Sequence, residues 1–112
     1  MNEKNPCAGF SRQLKAVADP NRLLIIVRLT RGEQSASQLC RDLHICQPTF
    51  SHHMKILCEK KLVLCRREGI RRFYRLNTDV VRNFAALITE IADATDTGTV
   101  DQDALQNYLN TL

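Results

Sequence analysis

Apolar residues recur along the chain with two different periods, and each period predicts a different kind of element. Phe10, Leu14 and Val17 stand at helical spacing and predict a short first helix. Asp19-Pro20 opens a second. Asp is a good N-cap, and Pro suits the first helical turn because its missing N–H would have no partner there. Leu23, Leu24, Ile26, Val27 and Leu29 follow so densely that this helix is expected to be buried on more than one side. Gly32 ends it. Ser35-Ala36-Ser37-Gln38 matches a capping box and opens a third helix through Leu43. After a tight connection at His44-Ile45-Cys46, a fourth helix is expected from Gln47 to about Lys60. Phe50, His53, Met54 and Leu57 share one face of it; Gln47, Ser51, His52 and Lys55 share the other.

The period then changes. Val63 to Arg67 and Arg72 to Leu76 are two β-rich runs, and Glu68-Gly69-Ile70-Arg71 supplies the turn of a hairpin. Asn77 or Thr78 caps a fifth helix striped by Val81, Phe84, Leu87, Ile88 and Ile91, which Asp96-Thr97-Gly98 breaks. Thr99-Val100-Asp101-Gln102 is a second capping-box match and leads a short last helix with Leu105, Tyr108, Leu109 and Leu112. The expected architecture is mainly α with a β-hairpin wing. Residues 1–9 form a flexible tail, residues 10–95 one domain, and residues 96–112 an extension with a short helix.

Charge sharpens this picture. The 112 residues carry a net +4, unevenly spread. Residues 1–46 hold seven Lys/Arg and four Asp/Glu, a net +3. Residues 77–112 hold one and six, a net −5, while residues 47–76 hold eight and two, a net +6. The expected fourth helix and hairpin therefore concentrate positive charge, as a surface for a polyanion does. No run of 18 apolar residues is present, so no membrane span is expected. Five cysteines, an odd number, with no secretory stretch ahead of them predict reduced thiols in a cytoplasmic protein.

Two short helices joined by three residues and followed at once by a basic hairpin make a winged helix-turn-helix. A helix fits the major groove of double-stranded DNA, and its polar face can read base edges. Gln47, Thr49, Ser51 and His52 are the expected base readers, with Lys55 beside them. Arg66, Arg67, Arg71, Arg72 and Arg75 on the wing are placed for phosphates or a minor groove. His53 reads as a hydrogen-bonded, partly buried histidine and His44 as a turn residue. A Cys/His catalytic centre is not expected, because no orienting third group or oxyanion turn accompanies these residues.

Three segments resemble one family. Leu14-Lys15-Ala16-Val17-Ala18-Asp19-Pro20-Asn21-Arg22-Leu23 is similar to the opening signature of ArsR–SmtB bacterial repressors. Gln47 to Leu57 resembles their recognition helix, and Arg67 to Leu76 their wing. The resemblance covers about residues 10 to 95. It implies a homodimer that represses its operon and leaves the DNA when an inducer binds. The apolar stripe agrees with a dimer through the terminal helices: Phe84, Leu87, Ile88 and Ile91 of the fifth helix, beside Phe10, Leu14 and Val17 of the first, are expected to meet the mate.

The chain also departs from the metal-sensing members. Ser35 and Ser37 stand where those carry a Cys-x-Cys motif, and the fifth helix has Asp79, Glu90 and Asp93 but no histidine. No cofactor is carried over. Arsenite, a soft metal, an oxidant or reactive sulfur remain the possible inducers, and any metal site is unassigned. The candidate sensor thiols are Cys46, Cys40, Cys7, Cys58 and Cys65. Cys40, Cys58 and Cys65 also read as packing residues, and Cys7 as a tail residue able to reach across a dimer. Cys46 stands at the N-cap of the expected recognition helix; it reads either as a poor cap residue with no further role, or as a sensor thiol, because unpaired N–H groups and the helix dipole there favour thiolate. The alternative reading is a thiol or metal binding protein, or an architectural DNA binder, without a repressor role.

Overall fold

Asp19 shows how the sequence sets up the observed fold. In the computed structural model, which describes residues 5–97 and side chains to residue 94, its Oδ2 accepts from the Asn21 and Arg22 N–H groups at 3.0 Å each. This cap separates helix α1, Ala8–Val17, from α2, Pro20–Leu29. Strand β1, Gln34–Ser35, and helices α3, Ala36–Leu43, and α4, Gln47–Glu59, come next. The hairpin strands β2, Val63–Glu68, and β3, Arg71–Leu76, lead to α5, Thr78–Thr97. The expected last helix with Leu105, Tyr108, Leu109 and Leu112 lies outside the described residues. The chain divides into two compact units, one of Gln13–Asn77 and one of the chain up to Arg12 and from Thr78. None of the described helices is long and apolar enough to cross a membrane.

In the first unit, α2 is buried along one stripe, not several. Ile25 and Leu29 are buried, whereas Leu23, Leu24 and Val27 are 49%, 46% and 56% exposed. Helix α2 packs against α3, α4 and β3, and the residues it buries are Ile25 and Leu29. Residues at i and i+4 share a face, and the rest of an apolar-rich helix is turned away.

The Ser35 capping box closes by half. Ser35 accepts from the Gln38 N–H at 3.2 Å, but the Gln38 side chain donates to Asp42 at 2.9 Å. At the other end His44 takes the left-handed conformation (φ 53°, ψ 44°) and terminates α3. Helix α4 buries Phe50, His53, Met54 and Leu57, the face its spacing predicted.

The sheet is antiparallel in the order β1-β3-β2. Strand β1 has no counterpart among the expected elements; it pairs Gln34 with Tyr74 and Ser35 with Phe73. The hairpin register runs from Val63 opposite Leu76 to Glu68 opposite Arg71. That leaves only Gly69-Ile70 as the loop, tighter than the four-residue turn expected. Gly69 has φ +63° while Ile70 does not, the pattern of a type II′ connection, which matches the twist of the strands. Ala16, Ile25, Leu29, Leu39, Phe50, Met54, Leu57, Leu62, Val63 and Tyr74 are the buried apolar residues of the Gln13–Asn77 unit. Within this core Phe50 meets Tyr74 edge to face, ring centroids 5.8 Å apart.

In the other unit, Phe10 of α1 packs edge to face on Phe84 of α5 at 5.3 Å. Phe10, Val80 and Leu87 are buried.

Candidate nucleic-acid interface

The N-terminal half of α4 presents Gln47, Thr49, Ser51 and His52 to solvent, and Lys55 one turn further on. They face outward because Phe50, His53, Met54 and Leu57 fix the opposite side in the core. Gln47 and Ser51 line a cavity of about 470 Å³ together with Ser35 and Ser37 at the start of α3 and Arg71 and Arg72 of the wing. Two helix N-termini, hydroxyls, an amide and two guanidinium groups thus converge on one opening. That donor set suits a phosphodiester backbone and the base edges beside it.

The wing arginines are not equivalent. Arg67 and Arg72 are direct cross-strand partners. Like charges so placed oppose strand pairing and are relieved by a bound polyanion. Arg66 and Arg71 lie on the other face of the hairpin, over the Phe73 ring at 4.5 and 5.0 Å. Arg66 is also held by Glu33 at 2.8 Å and Glu68 at 2.7 Å. Those carboxylates, Glu33 first, push its pKa up, and Arg66 in turn pulls the Glu33 carboxyl below its ordinary value. Arg66, expected among the DNA contacts, is therefore paired with two carboxylates of this chain. At the tip the apolar Ile70 is 102% exposed.

His53 is buried, as expected, and sits in a network beneath the recognition helix. Its Nδ1 lies 3.2 Å from Arg22 Nη1 and 3.9 Å from Asp19 Oδ2. Arginine only donates, so Nδ1 accepts and the ring proton is assigned to Nε2. The Asp19 contact is then not an ion pair. Arg22 also donates to the Ala16 carbonyl at 2.6 Å.

Four of the thiols fall into two neighbourhoods, Cys40 with Cys46 and Cys58 with Cys65. All five are free. Cys46, exposed before α4, makes no side-chain capping bond but shares a hydrogen bond with the Thr49 hydroxyl at 3.1 Å. That hydroxyl first, and then the Thr49 N–H facing the sulfur, hold the Cys46 thiol below the ordinary thiol range. Thr49 is therefore a positioning partner for Cys46 that helix geometry alone did not suggest. Cys40 donates to Gln47 Oε1 at 3.5 Å, and burial, then the Cys46 charge, pushes its thiol up. Cys58 is half-buried and is pushed up by burial and then by Cys65. Ser35 and Ser37, 3.4 Å apart at Oγ, serve the start of α3. Among the described residues no three His, Cys, Asp or Glu side chains cluster as metal ligands.

The Cys46 environment sets a measurable order. Residue-resolved iodoacetamide alkylation against pH should place the Cys46 midpoint below an ordinary thiol at about 8.5, and those of Cys40 and Cys58 above it. A lowered pKa keeps more thiolate at neutral pH, so Cys46 should be labelled before the other two. Labelling of Cys58 ahead of Cys46 would contradict the assignment.

Residues 19–63 match the family described as bacterial regulatory protein, arsR family. The chain is 43% identical over 68 residues to the arsenical resistance operon repressor of Staphylococcus xylosus, covering 61% of this chain and 65% of that one. It is 38% identical over 84 residues to the Staphylococcus aureus protein of the same name, covering 71% and 81%. Among solved structures it is similar to the homodimeric winged helix-turn-helix DNA-binding domain of a possible ArsR-family regulator from Mycobacterium bovis. The TM-score is 0.65 at 32% identity, over 84% of this chain and 90% of that one.

Proposed function

This chain belongs to the ArsR family of bacterial regulatory proteins, and on that premise we propose that it is a homodimeric, sequence-specific repressor that binds operator DNA. One observation carries the reading: the polar face of α4 and the wing arginines open onto one cavity with two helix N-termini at its rim. The operator is an imperfect inverted repeat with half-sites of about 10–12 bp, one for each recognition helix of the dimer. Gln47, Thr49, Ser51 and His52 read bases. Lys55, Arg67, Arg71 and Arg72 hold the backbone, and Arg66 stiffens the wing through Glu33 and Glu68. Release follows a thiol-directed inducer in the reduced cytoplasm. Cys46 is the foremost target, because an adduct there adds bulk against the DNA.

Footprinting and gel shifts across a salt series test the division of labour. His52→Ala should relax base preference at one position, at a cost of about 1–3 kcal/mol. Arg72→Ala should weaken all sequences alike and lower the salt slope by about one unit. Equal loss of specificity in both variants would contradict it. Footprints without sequence preference would favour an architectural binder.

A further inference from the structure

Helix α4 and the wing enclose a second groove, of about 380 Å³, next to the DNA-facing cavity. We propose that it is a thiol–disulfide exchange site for an anionic low-molecular-weight disulfide, with Cys65 as the entry thiol and Cys58 as the resolving thiol. Met54, Lys55 and Cys58 line it from one stripe of α4. Cys65, Arg72 and Tyr74 line it from the hairpin. Cys65 and Tyr74 are direct strand partners, and Cys65 shares a face with Val63, which is buried. The pleat therefore turns Cys65 toward the helix. The two thiols feel each other: after burial, the Cys65 charge is what raises the Cys58 pKa, and burial first, then Cys65 and to a lesser extent Cys58, raises that of Tyr74.

The surroundings select the ligand. Two sulfurs with no third ligating side chain clustered among the described residues do not make a chelating metal site. Lys55 and Arg72 repel a metal cation and attract carboxylates. Access selects the order of events. Cys65 is exposed, whereas Cys58 is half-buried and, as a thiol of raised pKa, a slow attacker from solution.

In the first step the Cys65 thiolate attacks one sulfur of the small disulfide. The S–S bond breaks, a mixed disulfide forms on Cys65, and the leaving thiolate takes a proton from water. In the second, Cys58 gives its proton to solvent and attacks the Cys65 sulfur, expelling the other half as a thiol. Two protein thiols are oxidised and one small disulfide is reduced to two thiols. The product ties the last turn of α4 to β2. On the repressor reading, on which the consequence alone rests, the bound anion occupies Lys55 and Arg72 and opposes DNA.

The test uses the reduced full chain, free of DNA, so that failure of the repressor reading leaves it intact. Glutathione disulfide is the anionic probe and cystamine, with the same S–S bond, the cationic one. Products are followed by peptide mapping. Wild type should yield a Cys58–Cys65 cross-linked peptide, severalfold faster with glutathione disulfide than with cystamine. Cys58→Ser should stop at a mixed disulfide on Cys65, and Cys65→Ser should leave Cys58 at least severalfold slower to react. The proposal is overturned if no cross-link forms, if cystamine reacts as fast, or if Cys58 reacts undiminished in Cys65→Ser.

Discussion

An Ile88→Glu variant is expected to fold, to remain monomeric, and to lose DNA binding at sub-micromolar concentration. Ile88 and Ile91 are each 51% exposed on α5, beside buried Leu87. A carboxylate at position 88 therefore costs the protomer little. In a two-fold interface the same substitution is made twice and places two unpaired charges where apolar surface was to be buried. A monomer meets only one half-site of an inverted repeat, so affinity falls with assembly. Leu87→Ala is the contrasting variant. Leu87 is fully covered within one chain, so its truncation should cost about 2–5 kcal/mol of protomer stability. Phe10, like Leu87, is buried within the protomer, which leaves Leu14, Ile88 and Ile91 as the exposed members of the expected interface. Light scattering decides the matter, and a dimeric Ile88→Glu protein would refute this use of α5.

Phe50→Ala is expected to be the most destabilising single change near the interface, by about 3–5 kcal/mol. Phe50 is fully buried and meets Tyr74 edge to face, 5.8 Å between centroids and 75° between planes. The contact joins α4 to β3 directly, and the residues on either side, Thr49 and Ser51, are proposed DNA readers. A loss of this size is a large share of the about 5–15 kcal/mol typical of a whole domain. Urea titration should show the midpoint falling steeply, and DNA affinity should fall although Phe50 touches no DNA in the proposed complex. Phe50→Leu keeps most of the buried area and should retain most of the stability. An unchanged urea midpoint for Phe50→Ala would show that the ring does not anchor the helix.

Much of the DNA-binding half could be read from the sequence because its signals are local. The apolar period of α4 put Phe50, His53, Met54 and Leu57 inside, and so put Gln47, Ser51, His52 and Lys55 outside. Asp19-Pro20 marked a helix start because a cap bonds within three residues of itself. The switch to β-rich runs located the wing, and the clustering of arginines gave its charge.

Only the tertiary structure decided what depends on partners brought from far along the chain. Leu23, Leu24 and Val27 look like core residues by type, yet the packing of α2 buries Ile25 and leaves those three about half exposed. Strand β1 is two residues long, too short for any period, and exists because β3 offers it an edge. Arg66 is paired with Glu33, 33 positions away. Cys58 and Cys65 likewise share a groove because the pleat of β2 and the last turn of α4 face each other. Caps and periods act within a turn or two of the backbone, so a sequence spells them out. Burial and charge pairing are properties of surfaces that meet, and the chain settles them only when it folds.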